Sequence, residues 1–110
     1  MIENKKLVEE ILILLKDQKL YKVILFGSYA YKKPHDDSDI DLLVILDKNG
    51  VSNNYKKILE NKKLISKQLR ALRKRVPIDL LVYTKDEWKI LQDCKTSFFK
   101  QVEKEGVALI

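Results

Sequence analysis

Residues 23–46 read VILFGSYAYKKPHDDSDIDLLVIL, and the changes of character along this stretch decide the fold. Val23 to Phe26 is a short apolar run, the mark of a buried strand. A Gly-Ser turn follows, then a polar excursion through Pro34 to Ser38 that reads as loop. A second strand opens with Asp39-Ile40-Asp41 and closes in a run of Leu, Val and Ile. Strand side chains alternate faces, so Asp39 and Asp41 point one way while Ile40 and Leu42 point the other. Two like charges at the mouth of an otherwise apolar strand are costly unless a cation offsets them, and a divalent metal is the obvious one.

Gly27 and Ser28 supply the complement. Directly after a strand the backbone must turn sharply or admit another group closely, and glycine has no Cβ to obstruct either. Ser28 can cap a short helix begun by Tyr29-Ala30-Tyr31, leaving N–H groups and a hydroxyl aimed outward as an anion site. A phosphate-binding turn on one strand beside paired carboxylates on the next is what a metal-bridged nucleoside triphosphate requires.

Outward from this centre, apolar residues between Ile2 and Lys19 recur at helical spacing and predict an amphipathic helix. Tyr21 to Phe26 is the first strand and Asp39 to Leu46 the second. Asp47-Lys48-Asn49-Gly50 is turn chemistry, after which Ser52, Asn53 or Asn54 can cap a long helix from Tyr55 to Arg75. Pro77 ends that helix and opens a third strand, Ile78 to Tyr83. Thr84-Lys85-Asp86-Glu87 is a capping box that starts a last helix. That helix is expected to break near Thr96 and resume to Lys104, with Gly106 as its stop before a terminal strand, Val107 to Ile110.

The order helix, strand, strand, helix, strand, helix predicts an α+β fold, helices packed on a small mixed sheet. Without repeats or linkers, its 110 residues are expected to form a single domain, 1–110.

Asp79 lies between Ile78 and Leu80 in a strand that itself carries no Lys or Arg, and a buried carboxylate without a partner is costly. It is either a third ligand beside Asp39 and Asp41 or a strand-edge acid facing water. Taken alone, Asp-x-Asp is weak evidence, because acids are common where loops meet strands. Joined to Gly27-Ser28 upstream and Asp79 downstream it becomes specific. Asp36 and Asp37 read as solvated loop acids, and His35 as a loop residue within conceivable reach of a triphosphate. Tyr29 and Tyr31 could stack on a base or pack the turn. Cys94, Trp88, Phe98 and Phe99 are expected in the core or at an interface.

Hydrophobic residues make up 45% of the chain and charged residues 35%, the balance of a soluble globular protein. No apolar run suggests a membrane span, and the N-terminus mixes acids into its apolar stretch, so a cytoplasmic location is expected. One Cys and one His exclude an internal disulfide and a structural zinc site. Any metal must be held by oxygen, which favours Mg2+ or Mn2+. The net charge of +6 suits a polyanionic ligand or partner. Much of it lies on the helix 55–75, which reads as a solvated face or as a surface for nucleic acid or an acidic partner. The lack of interleaved aromatics disfavours nucleic acid.

Gly27-Ser28, ten residues, then Asp39-x-Asp41 resembles the signature of the nucleotidyltransferase superfamily, whose members share a polymerase-β-like core. The short chain and the wording GSYAYKKPHDDSDIDLLVI resemble in particular the minimal nucleotidyltransferases (MNT), often encoded beside HEPN-domain toxins. VPIDLLVY (residues 76–83) is similar to the family's third-carboxylate strand, and EGVALI (residues 105–110) to its usual ending. Lys32 is a departure, since family members commonly carry glycine there.

The resemblance implies that Asp39, Asp41 and Asp79 hold Mg2+ as catalytic and metal-binding residues while Gly27 and Ser28 bind the nucleotide. It implies transfer of NMP, AMP from ATP, to a tyrosine of a cognate HEPN toxin, so that the chain acts as an antitoxin in a homo- or hetero-oligomer. Two alternatives stand beside it: modification of a small molecule such as an aminoglycoside, and neutralisation of a toxin by contact without chemistry.

Overall fold

The computed structural model describes residues 2–26, 40–50 and 55–110. In chain order its elements are α1 (Ile2–Leu15), β1 (Leu20–Phe26), β2 (Ile40–Leu46), α2 (Tyr55–Gln68), α3 (Arg70–Arg73), β3 (Ile78–Thr84), α4 (Lys85–Cys94), α5 (Ser97–Glu105) and β4 (Val107–Ala108). The strands described form one mixed sheet in the order β3-β2-β1-β4. β1 runs antiparallel to both β2 and β4, while β2 and β3 are parallel. A parallel pair needs a crossover longer than a hairpin, and α2–α3 provides it.

The alternation along β2 divides the core into two layers. Ile40, Leu42, Val44 and Leu46 face Ile11 and Leu15 of α1, Ile65 of α2, Leu72 of α3 and the intervening Leu69. Leu43 and Ile45 face the other way, onto Trp88 of α4 and Phe99 and Val102 of α5. Trp88 and Phe99 pack with ring centroids 5.1 Å apart. Both faces of β2 are therefore covered, which is why its sequence is a near-continuous apolar run after Asp41. Burial pushes the pKa of Tyr83, beside this layer, above the ordinary tyrosine value, and the nearby Glu87 carboxylate adds to the shift.

Several expected boundaries move. α1 stops at Leu15 instead of reaching Lys19, because Lys16, Asp17 and Gln18 offer nothing to bury and Leu20 is needed opposite Leu46 in the sheet. The long helix 55–75 divides at Leu69, whose N–H is shared between the carbonyls of Ile65 and Ser66 at 3.2 Å each. The offset lets Leu69 and Leu72 both bury completely, and the Arg73 guanidinium bridges the break to the Ser66 hydroxyl. Arg75 pairs with Glu10 of α1. β4 is two residues long instead of four. Cys94 is exposed, since the inward stripe of α4 runs through Trp88 and Leu91, and the core is thus not its place.

The predicted capping box is present. Thr84 Oγ1 accepts from the Glu87 N–H at 3.1 Å, and the Thr84 N–H donates to Glu87 Oε1 at 2.8 Å. The same hydroxyl donates to the Gly50 carbonyl at 2.6 Å, and the Gly50 N–H donates to Asp86 Oδ2 at 2.6 Å. The turn after β2 is thereby clamped to the start of α4. Thr84→Ala removes a cap and strands a carbonyl acceptor together, and is expected to cost about 2 kcal/mol in urea unfolding.

Candidate active site

The acids of interest sit where β2 and β3 begin. In the parallel register Asp41 lies opposite Asp79, and in the antiparallel register Asp41 lies opposite Phe26, the last residue of β1. Residues paired across a sheet share a face, so Phe26, Asp41 and Asp79 form one row. Their face is that of Leu43, Ile45 and Trp88. The row caps an apolar layer with two carboxylates, and Phe26 adjoins them with its ring edge-on to Phe98 at 5.8 Å.

Adjacent strands lie about 4.8 Å apart. Two carboxylates carried side by side on one sheet face repel, and a cation between them would turn that repulsion to attraction. Asp41 is half-buried and already engaged by neighbours, whereas Asp79 is exposed. Asp79 thus carries no burial cost, and its exposure matches the reading of it as a strand-edge acid facing water. The reason is its position near the start of an edge strand of the described sheet, where its side chain faces solvent.

Among the described residues no three acidic, His or Cys side chains gather as a metal centre. Asp41 and Asp79 are two such donors, and Asp39, which precedes β2 directly, lies outside the described residues. So do Gly27 and Ser28, which follow Phe26 directly, and Tyr29, Tyr31, Lys32, His35, Asp36 and Asp37. The donor set fits Mg2+ or Mn2+: both groups are carboxylates, and the exposure of Asp79 leaves room for the waters that magnesium keeps.

A second polar site was not anticipated from sequence. At the opposite end of β2 and β3, Lys48 Nζ donates to Oδ1 of buried Asn61 at 3.2 Å, beside a cavity of about 160 Å3 that Lys57, Glu60 and Thr84 also line. The available signal was Asn61 itself, a polar residue four positions before Ile65 on the inward stripe of α2. On this side Lys85 bonds Asp47 at 2.6 Å, and that carboxylate holds the lysine pKa above its ordinary value.

Comparison with known proteins agrees with this fold. A Methanocaldococcus jannaschii protein named "Putative protein adenylyltransferase MJ0141" is 34% identical over 103 residues, spanning 94% of this chain and 91% of its own. Among solved structures, a crystal structure of the toxin-antitoxin with AMP-PNP is similar at a TM-score of 0.62 and 28% identity, over 94% of this chain and 72% of that one. The toxin-antitoxin MntA-HpeT bearing two Asp-to-Glu substitutions is similar at a TM-score of 0.61 and 27% identity, with the same coverage. Residues 9–110 match the family described as polymerase beta, nucleotidyltransferase. With that match over nearly its whole length, and with the mixed sheet that carries Asp41 beside Asp79, the chain belongs to the polymerase beta nucleotidyltransferase family.

Proposed function

We propose that the chain is an antitoxin that transfers AMP from ATP to a hydroxyl, a tyrosine of a cognate HEPN-type toxin, and so silences it in the cytoplasm. The observation that carries this reading is the register of Asp41 with Asp79 on one sheet face of a nucleotidyltransferase chain. Likeness to a protein named for protein adenylylation, and to a toxin-antitoxin crystallised with AMP-PNP, supports the nucleotide and the class of acceptor.

Asp39, Asp41 and Asp79 are the residues that would hold Mg2+, with Gly27 and Ser28 receiving the β and γ phosphates. When bound, the metal supplies charge neutralisation at the phosphate oxygens. The acceptor oxygen attacks the α-phosphorus in line, the bond from that phosphorus to the bridging oxygen breaks, and pyrophosphate leaves with the electron pair. Asp79, exposed at the sheet edge, is the carboxylate an incoming hydroxyl can reach, and it takes the proton. Fixed positions on two paired strands contribute by holding the reactants in one geometry.

The test measures pyrophosphate release from ATP and, by mass spectrometry, AMP on the co-expressed toxin. Chelation by EDTA is expected to lower the rate by at least ~100-fold, with Mg2+ or Mn2+ restoring it. Full turnover in EDTA would remove the metal from the proposal, and a toxin silenced without added AMP would leave neutralisation by contact as the function.

A further inference from the structure

The positive charge of this chain is gathered in one place. Residues 55–75 carry nine of its 22 basic residues and one of its 16 acidic residues, leaving thirteen basic against fifteen acidic elsewhere. The net charge of +6 therefore comes entirely from the α2–α3 crossover. Asn61, Ile65, Leu69 and Leu72 turn into the fold, while Lys56, Lys63, Lys67 and Arg70 are exposed with Glu60 as the single acid among them.

Folding does not account for this arrangement. Lys56, the second residue of α2, lies at the helix end where a cation is unfavourable, with Glu60 four positions on as its one offsetting acid on the helix. Lys63 and Lys67 repel as an i, i+4 pair. Arg73 and Arg75 have internal roles, one reaching Ser66 and the other Glu10, and are set aside.

We propose that this face docks an acidic surface of the acceptor protein, steering its hydroxyl to the Asp41–Asp79 end of the sheet; the proposal rests on the reading of the chain as a protein adenylyltransferase. The crossover packs on the sheet face opposite the Asp41–Asp79 row, but α3 ends where the edge strand β3 begins, so the last turns of the charged face and Asp79 lie at one end of the sheet, on either side of that edge. Two observations favour a protein over a nucleic acid. Leu64, flanked by Lys63 and Lys67, is 45% exposed on α2, apolar area that suits a protein interface and has no counterpart on a phosphate backbone. No aromatic residue stands between 56 and 75 to stack on a base. Charge at the rim of an interface acts mainly on encounter, so the effect belongs in the acceptor KM more than in kcat.

The experiment compares tyrosine peptides flanked by Glu, by Gln or by Lys as AMP acceptors, for wild type and for Lys63→Glu/Lys67→Glu/Arg70→Glu. Wild type is expected to show a KM for the Glu-flanked peptide about tenfold below that for the Gln-flanked one, a preference that weakens with salt. The variant should lose or invert this order while its KM for ATP and its unfolding midpoint stay at wild-type values. Transfer without any charge preference, or a preference that survives in the variant, overturns the docking surface and leaves the adenylyltransferase reading standing. If no peptide accepts AMP, fluorescence anisotropy of the labelled Glu-flanked peptide decides: binding lost in the variant sustains the surface and fails the acceptor assignment, and no binding by wild type overturns the surface. Tighter binding of a 20-nucleotide RNA than of that peptide also overturns it, in favour of nucleic acid.

Discussion

Asp41→Asn is expected to lower AMP transfer by about 10²–10³-fold, the scale on which losing one preorganised charged group acts, with the fold intact. Asparagine is isosteric with aspartate and keeps a hydrogen-bonding side chain, so the fold should survive with at most a small change in stability. Asp79→Asn should lose activity on a similar scale, from a residue exposed enough that its substitution disturbs no packing. If the two acids act as a unit, the double variant falls little further than either single one, whereas independent roles would multiply the losses. Pyrophosphate release by each variant, read beside circular dichroism, checks this. Wild-type turnover in Asp41→Asn would end the proposed chemistry.

The largest expected loss of stability comes from Gly106→Ala. A Cβ built on Gly106 would stand 2.5 Å from the Val102 carbonyl oxygen and 2.7 Å from Cγ2 of Ile24, distances that no small adjustment relieves. Gly106 has φ −73°, so its backbone would suit any residue, and the need for glycine is one of space. Its N–H also donates to the Val102 carbonyl at 2.7 Å, which ties the end of α5 to the start of β4. Pushing Gly106 away from Ile24 would loosen β4 from β1, where Ile24 pairs with Ala108. The cost should be about 3 kcal/mol, seen as a lower urea midpoint. Gly50→Ala is the control: φ there is +94° but nothing lies within 4 Å of the added Cβ, and about 1 kcal/mol of backbone strain is all that is expected.

Much of this was legible in the sequence because it depends on short-range pattern. The apolar run 42–46, the capping box at Thr84 and the break before Ser97 are local signals, and the elements follow them. The opposition of Asp41 and Asp79 was legible at one remove: each acid lies at the start of an apolar strand run, so strands paired from their starts bring the two together. The division of the crossover at Leu69 was not legible, since neither Gly nor Pro marks it and it follows from fitting Leu69 and Leu72 to the sheet. Gly106 was legible as a stop, but the reason glycine is needed there was not: it is closeness to Ile24, a residue more than eighty positions away. The Lys48–Asn61 contact is missed for the same reason, because its partners lie on different elements.

The parallel pairing of β2 with β3 makes the alignment of Asp41 with Asp79, and the sheet face they share, a property of backbone hydrogen bonds. Insertions within the loops around α2 and α3 leave it untouched. A one-residue slip of β3 does not: it would carry the carboxylate of Asp79 to the position of Ile78, on the opposite side of the sheet, against Ile65, Leu69 and Leu72. Strand phase is thus the element of this chain least tolerant of length change, and a single deletion between Pro77 and Asp79 would bury an acid in the core and take it from the active site in one step.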